Sequence, residues 1–175
     1  MTSRLLRSNT GENSLARAKG CQRTFLPLDD IATIPNAADL FAVWQAARRD
    51  GELPAKSIVD PVTLKPNTLS HLILMDIEKE TGRIRYRLTG TAVDRVQNRN
   101  LTGHYVDENR PLELRDILLS DLSKLARDWE PQLAEMRFQN RTGHSRRVRV
   151  LRLALSAIDG PANEVAHFVL VFDAT

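Results

Sequence analysis

Hydrophobic positions mark five strand-like segments of this chain, with the clearest period of two at 83–89, and repeat at helical spacing in three others. The strand-like segments are 72–78, 83–89, 132–140, 146–157 and 165–172. The helix-like segments are 36–50, 91–97 and 111–128. Their order predicts an α+β fold with a five-stranded antiparallel sheet. Helices cover one face of this sheet, and the N-terminal helix at 36–50 is available for the other.

Two of these segments indicate where they lie in the fold. Segment 165–172 is apolar on both faces apart from His167, which is typical of a strand in the middle of its sheet. Segment 111–128 has one apolar stripe, and its acidic residues, Asp121 among them, are assigned to the face that meets water.

Segment 83–103 contains a strand, a glycine, a short helix and a second glycine. Ile84, Tyr86 and Leu88 alternate with arginines, so their side chains are expected on one face of the strand. Gly90 ends this strand, and a turn with positive φ would require glycine there. The arrangement suits a fold that wraps helices over a sheet, and favours a sensing or docking module over an enzyme.

The N-terminal 35 residues differ from the rest in charge and pattern. Residues 1–24 carry five basic side chains against one acidic one, a net charge of +4, so the remainder carries −1 of the total of +3. Residues 1–35 are therefore interpreted as a basic, flexible arm and lead-in, and residues 36–175 as the folded domain. Cys21 is expected to be an inert surface thiol. A nearly neutral domain argues against nucleic-acid binding.

Composition is that of a soluble globular domain. Hydrophobic residues make up 42% of the chain and charged residues 27%, which are ordinary values. No apolar run approaches the ~18 residues of a membrane span. The polar N-terminus does not fit a signal peptide, which predicts a cytoplasmic location. A single cysteine excludes an internal disulfide.

A series of spaced motifs runs from about residue 40 to residue 172. They are Trp44, Gly51-Glu52-Leu53-Pro54, Asp60-Pro61, Leu74-Met75-Asp76, Tyr86-Arg87-Leu88-Thr89-Gly90-Thr91 and Leu101-Thr102-Gly103. In composition and spacing they resemble a family of small, free-standing bacterial PAS-domain proteins known mainly from alphaproteobacteria. The segment around Gly90 is the most specific element.

This resemblance implies a sensory or regulatory module without enzymatic activity. PAS domains hold a small molecule between the sheet and its helices, bind a signalling partner, or dimerise. Many dimerise through a helix before the first strand, and here that helix carries Leu40, Phe41 and Trp44. Output is expected through rearrangement of this helix or of the dimer.

The candidate ligand pocket consists of residues expected to face the helices. They are Tyr86, Leu88, Val93, Val96, Leu101, His104, Tyr105, Leu118, Met136, Phe138, Leu153, Leu155 and Phe168. A closed core would need the same residues, so the pattern does not distinguish a cavity from dense packing.

The sequence does not support haem or flavin as a cofactor. Haem-binding PAS proteins usually take an axial histidine from the long helix, and segment 111–128 has none. Light-sensing flavin domains need a reactive cysteine in the helix after the second strand, and segment 93–101 has none. The identity of any cofactor stays open.

No metal site is predicted either. None of the four histidines pairs with another at ligand spacing. Asp107 and Glu108 are interpreted as a solvated acidic loop before a helix rather than a cation site. The arginines of 146–157, Arg152 included, are interpreted as a salt-bridged sheet surface.

Two alternative functions remain. One is a purely structural dimeric adaptor, which a filled core would favour, whereas a buried void with one or two polar groups would favour sensing. The other is a small isomerase or hydratase, for which Asp76 and Tyr86 would be the acid–base pair. No catalytic residue is assigned, because no spacing supports that pair.

Overall fold

A computed structural model of the chain describes residues 20–140 and 142–174. The strands are β1 (Cys21–Phe25), β2 (Leu72–Ile77), β3 (Ile84–Thr89), β4 (Gln132–Gln139), β5 (Ser145–Leu155) and β6 (His167–Ala174). The α-helices are α1 (Pro35–Ala47), α2 (Pro66–Ser70), α3 (Thr91–Gln97) and α4 (Leu112–Asp128). Short 3-10 helices lie at Leu28–Thr33, Lys56–Ile58 and Val106–Glu108.

All strands form one antiparallel sheet in the order β1-β4-β5-β6-β2-β3. The five predicted strands and three predicted helices are confirmed with small changes at their ends. The central position predicted for the last strand is also confirmed, because β6 lies between β5 and β2. Its near-continuous apolar sequence follows from burial on both faces.

The sheet has six strands rather than the predicted five. β1 pairs with β4 at the edge, from Cys21 opposite Phe138 to Phe25 opposite Ala134. Cys21 is therefore buried, with 1% of its surface exposed, and not on the surface as predicted. Burial raises the pKa of its thiol to about 11. Residues 1–19 of the predicted arm lie outside the described residues.

Strand alternation divides the sheet into two buried faces. On β5 the side chains of Val148, Val150 and Arg152 lie on the face that α3 and α4 cover. The residues between them lie on the opposite face, against which α1 packs. There Nδ2 of Asn36 donates a hydrogen bond to Oδ1 of Asp173 at 2.8 Å.

A β-bulge in β3 interrupts the alternation on which the sequence interpretation depended. Met75 pairs with Tyr86 while Leu74 pairs with Leu88, so Arg87 has no partner of its own in β2. An extra residue of this kind reverses which face the following side chains point to. Leu88 is consequently 49% exposed and does not share a face with Tyr86.

Gly90 connects β3 to α3, and its role differs from the predicted one. Its φ is −69°, so the turn does not use the left-handed region. A Cβ atom at this position would lie 2.2 Å from the carbonyl oxygen of Ser70. Glycine is required because the backbone of α2 approaches it closely.

Within the described ranges, no helix has both the length and the apolar composition needed to cross a bilayer.

Candidate functional site

A cavity of about 350 Å³ lies between the sheet and helices α3 and α4. This volume is in the range of small-molecule pockets. The strands contribute Ile73, Met75, Met136, Phe138, Val148, Val150, Leu170 and Phe172, and the helices and the loop between them contribute Val93, Val96, Leu101, Leu114 and Leu118. The wall is therefore mostly apolar.

Tyr86 and Asn109 place polar groups inside this apolar wall. Nδ2 of Asn109 donates a hydrogen bond to Oη of Tyr86 at 2.7 Å, and both residues are buried. Burial raises the pKa of Tyr86 to about 12, against the opposing effects of the Asn109 hydrogen bond and of the charges of Arg99 and Arg152. The hydroxyl is therefore protonated at neutral pH and can donate a hydrogen bond to a bound molecule.

Arg152 contributes a fully buried guanidinium to the wall. Its Nη1 donates to Oδ2 of Asp121 at 2.9 Å, and the two side chains are 1% and 3% exposed. Nη2 lies 3.4 Å from Sδ of Met136, and Nη1 lies 3.4 Å from Oε1 of Gln132. Burial lowers the pKa of Arg152 from its usual value, and the Asp121 carboxylate opposes that effect.

Asp121 also binds a second arginine. Nε and Nη2 of Arg23 on β1 donate to its two carboxylate oxygens at 3.1 Å and 2.9 Å. The assignment of Asp121 to the water-facing side of α4 was wrong, because the residue is 2% exposed. The assignment of Arg152 to a salt-bridged surface was also wrong, although Arg147 does form a surface ion pair with Glu135.

Gln97, Arg99 and Arg110 complete the lining. Arg110 is exposed and Arg99 is half-buried. The polar part of the cavity therefore lies along the C-terminal end of α3 and the segment that leads into α4.

Seven of the predicted pocket residues line the cavity: Tyr86, Val93, Val96, Leu101, Leu118, Met136 and Phe138. The other six do not. Leu88 is displaced by the bulge, and Leu153 and Leu155 are buried on the α1 face of β5. Phe168 is on the cavity face by register, opposite Met75, but does not contribute to the wall.

His104 and Tyr105 lie at the surface, outside the cavity. Nδ1 of His104 is 3.3 Å from Oε2 of Glu108. The hydroxyl of Tyr105 donates to Glu78, and its ring lies under the guanidinium of Arg83. Arg83 itself pairs with Asp107 at 2.7 Å. Asp107 and Glu108, the predicted acidic loop, therefore lie against basic side chains of neighbouring residues.

The candidate dimer residues are on α1 but differ in exposure. Leu40 and Trp44 are 0% and 5% exposed, because they pack against the chain's own sheet. Nε1 of Trp44 donates to the carbonyl of Ala154 at 3.0 Å. Phe41 stacks on Trp44 with ring centroids 6.0 Å apart and stays half-exposed. Phe41 is therefore the member of the three with surface to offer.

Asp76 and Tyr86 do not meet in one pocket. Oδ1 of Asp76 is 2.8 Å from Nδ1 of His167, on the sheet face opposite Tyr86. Among the described residues, no group of three or more His, Cys, Asp or Glu side chains has an arrangement that could hold a metal ion.

An antiparallel sheet with helices packed over one face around a cavity is an α+β architecture of PAS type. A family model described as PAS domain matches residues 32–166, which is most of the chain. The chain therefore belongs to the PAS domain family, a family of sensory modules that are generally not enzymes.

Comparison with solved structures gives distant similarities. The PAS domain of a protein from Colwellia psychrerythraea aligns with a TM-score of 0.47 and 10% identity, over 66% of this chain and 98% of that one. The PAS domain of an HTR-like protein from Haloarcula marismortui aligns with a TM-score of 0.44 and 13% identity, over 59% of this chain and 79% of that one.

The LOV domain of a blue-light activated histidine kinase from Erythrobacter litoralis aligns with a TM-score of 0.42 and 14% identity, over 59% of this chain and 94% of that one. A search of curated proteins finds no match. At these distances the alignments carry no information on ligand or partner.

Proposed function

We propose that this PAS domain is a non-enzymatic sensory module that binds a small molecule in the cavity under α3 and α4. The observation that carries this proposal is the cavity itself. A core evolved only for packing leaves few voids larger than a water molecule, whereas this one is about 350 Å³ and contains the buried hydroxyl of Tyr86 and amide of Asn109. An apolar wall with a few buried polar groups is the usual composition of a ligand site.

The route for the signal runs through β6 to α1. The side chain of Phe172 lines the cavity, while its ring also contacts His71 with centroids 5.1 Å apart. Nδ2 of Asn36 on α1 contacts the backbone carbonyl oxygen of Phe172 at 3.5 Å and donates to Oδ1 of Asp173 at 2.8 Å. A ligand that binds better when Phe172 is displaced would shift the population of α1 positions.

The output passes to a second protein, either another copy or a signalling partner. Phe41 on α1 and Leu28, which is 40% exposed, offer apolar surface at the end of this route. We expect the domain to act in the cytoplasm, as its resemblance to small bacterial PAS proteins suggests.

A neutral fluorescent probe, N-phenyl-1-naphthylamine, tests whether the cavity binds small molecules. We expect one saturable site in the wild-type protein. Val96→Phe places a ring in the cavity, because Val96 lines it, and is expected to abolish binding. Val62→Phe is the matched control, because Val62 is 91% exposed on a distant loop.

Thermal unfolding checks that both variants are folded. Absence of probe binding to the wild type, or equal binding by a folded Val96→Phe variant, would contradict the proposal and favour the ligand-free adaptor. Native mass spectrometry of protein from its own host, before and after denaturation, would then give the mass of the natural ligand.

A further inference from the structure

The charged residues of the cavity all have the same sign. Its lining contains three arginines, Arg99, Arg110 and Arg152, and no aspartate or glutamate among the residues that the structure describes. Of these three arginines, Arg152 is fully buried, and a buried guanidinium costs desolvation free energy that a neutral ligand would not offset.

The buried arginine is only partly neutralised. Arg23 and Arg152 share the single carboxylate of Asp121, so one positive charge of the three-residue cluster is left over. Glu113, whose charge also acts on Cys21 of β1, forms no ion pair with either arginine in the described part of the chain. Nε of Arg152 is buried and has no hydrogen-bond partner there.

The two more accessible arginines are not neutralised either. The guanidinium of Arg99 makes no hydrogen bond or ion pair with the described residues. Among the residues in ranges 20–140 and 142–174, Arg110 donates only to the backbone carbonyls of Glu108 and Asn109. In the loop before Arg110, the carboxylate of Asp107 pairs with Arg83, and that of Glu108 accepts from the backbone N–H of Tyr105.

Two of these three positive charges act on one hydrogen-bond donor of the cavity, the hydroxyl of Tyr86. The oxygen of Tyr86 already accepts from Asn109, which leaves its proton for a bound acceptor. The charges of Arg99 and Arg152 both act on this hydroxyl. The cavity therefore offers the O–H of Tyr86 and three guanidinium groups within a mostly apolar wall.

We infer that the molecule bound in this cavity is an amphipathic anion, an apolar body with one acidic group that lies between Tyr86 and the guanidinium groups of Arg99 and Arg110. This inference rests on the proposed function of the cavity. Carboxylate, sulfonate and phosphate share the necessary chemistry, since each accepts several charge-assisted hydrogen bonds.

A matched pair of probes tests the inference. The dye 8-anilinonaphthalene-1-sulfonate has the skeleton of N-phenyl-1-naphthylamine plus one sulfonate, so the two differ in charge at nearly constant apolar surface. We expect the anionic dye to bind about tenfold more tightly at low salt, because a hydrogen bond to a charged group contributes at least that much. Raising the salt concentration should weaken binding of the anionic dye more than binding of the neutral one.

The double variant Arg99→Gln/Arg110→Gln is expected to remove most of this preference, because it should weaken binding of the anionic dye far more than binding of the neutral dye. Arg95→Gln is the control, because Arg95 is an exposed arginine of α3 that does not line the cavity. Tyr86→Phe should also weaken binding of the anionic dye more than binding of the neutral dye. Arg152 is left in place because its loss would disturb the buried ion pair.

The two dyes separate the possible failures. Equal affinity for both, or equal weakening of both by Arg99→Gln/Arg110→Gln, would overturn the inference and leave the proposed function standing. Failure of both dyes to bind, with the protein folded by circular dichroism, would overturn both the inference and the proposed function. Retention of the preference in the double variant and its loss in Arg95→Gln would also overturn the inference.

Discussion

Arg152 of β5 and Asp121 of α4 form an ion pair of 2.9 Å in which neither side chain is more than 3% exposed. Removing one partner of a buried ion pair lowers the free energy of unfolding by more than the intact pair contributes to it, because the remaining charge is left buried with neither a counter-ion nor water around it. Asp121→Asn is therefore expected to lower the free energy of unfolding by about 3–5 kcal/mol.

Urea denaturation measures this change. Asp116→Asn on the same helix is the control, because the side chain of Asp116 is 64% exposed and pairs with its neighbour Arg115. Its effect should stay within about 0.5 kcal/mol. Equal stability of the two variants would show that Asp121 does not hold the buried cation.

Trp44 is expected to contribute to the stability of the fold. Trp44→Ala removes a ring that is 5% exposed together with the hydrogen bond to Ala154, and should cost about 3–5 kcal/mol. Trp44→Phe keeps most of the apolar contact and leaves the carbonyl of Ala154 unpaired, at about 1–3 kcal/mol. Chemical denaturation of both variants measures whether Trp44→Ala is the less stable of the two. Two variants as stable as the wild type would mean that the ring of Trp44 does not contribute to the core.

Dimerisation through α1 is tested at Phe41. Phe41→Glu places a charge on the half-exposed apolar surface of the helix and should shift sedimentation from a dimer to a monomer at micromolar concentration. Val62→Glu adds the same charge at a residue that is 91% exposed and should leave the dimer intact. A wild-type monomer, or a Phe41→Glu dimer, would exclude this interface.

Gly90 and Gly82 are required for different reasons, one steric and one conformational, and alanine substitutions distinguish them. At Gly82 a Cβ atom meets nothing within 4 Å but φ is +70°, so Gly82→Ala should cost about 1 kcal/mol. At Gly90 the Cβ atom would overlap the backbone of Ser70, so Gly90→Ala should cost about 3 kcal/mol. Thermal unfolding that ranks Gly82→Ala as the worse variant would contradict the close approach of α2.

Burial of Asp173 is expected to give the stability of the fold a pH dependence. Burial raises the pKa of its carboxyl above the usual value of 3.8, against hydrogen bonds from Asn36 and Ala37. A raised pKa means that folding favours the protonated acid. The stability that this group contributes is therefore complete below pH 3.8 and is lost as the pH rises through the folded-state pKa.

Asp173→Asn keeps an uncharged acceptor for Asn36 and should be more stable than the wild type at pH 7. The difference should shrink as the pH falls and vanish once Asp173 is protonated. Urea denaturation at a series of pH values measures it. A difference that grows towards low pH would mean that the ionised form is the one favoured by folding.

Most of the fold follows from local patterns in the sequence, and the exceptions have physical causes. β1 was missed because Gln22, Arg23 and Thr24 carry no apolar alternation. The strand exists through pairing with β4, more than a hundred residues away, and through the bond from Arg23 to Asp121. Contacts of this range leave no periodic signal in either segment.

The cavity was harder to predict than the fold because both sheet faces are buried. On β5 every position from Val150 to Leu155 is buried, so hydrophobicity does not tell which side chains face α3 and α4. The available signal was Arg152 itself, a charge within an apolar run, which needs a partner if it is buried. Leu88 was misplaced because a bulge changes the side-chain alternation without changing the composition.

The position of β6 affects how this domain can be divided or transplanted. The match to the family covers residues 32–166, whereas β6 begins at His167 and β1 ends at Phe25. A fragment cut to those limits would lose the strand that joins β5 to β2, and with it the connection between the two halves of the sheet. It would also lose Arg23, one of the two cations on Asp121. A chimaera that borrows this sensor therefore needs residues 20–174, because the segments outside the family's limits supply its middle strand and one of its edges.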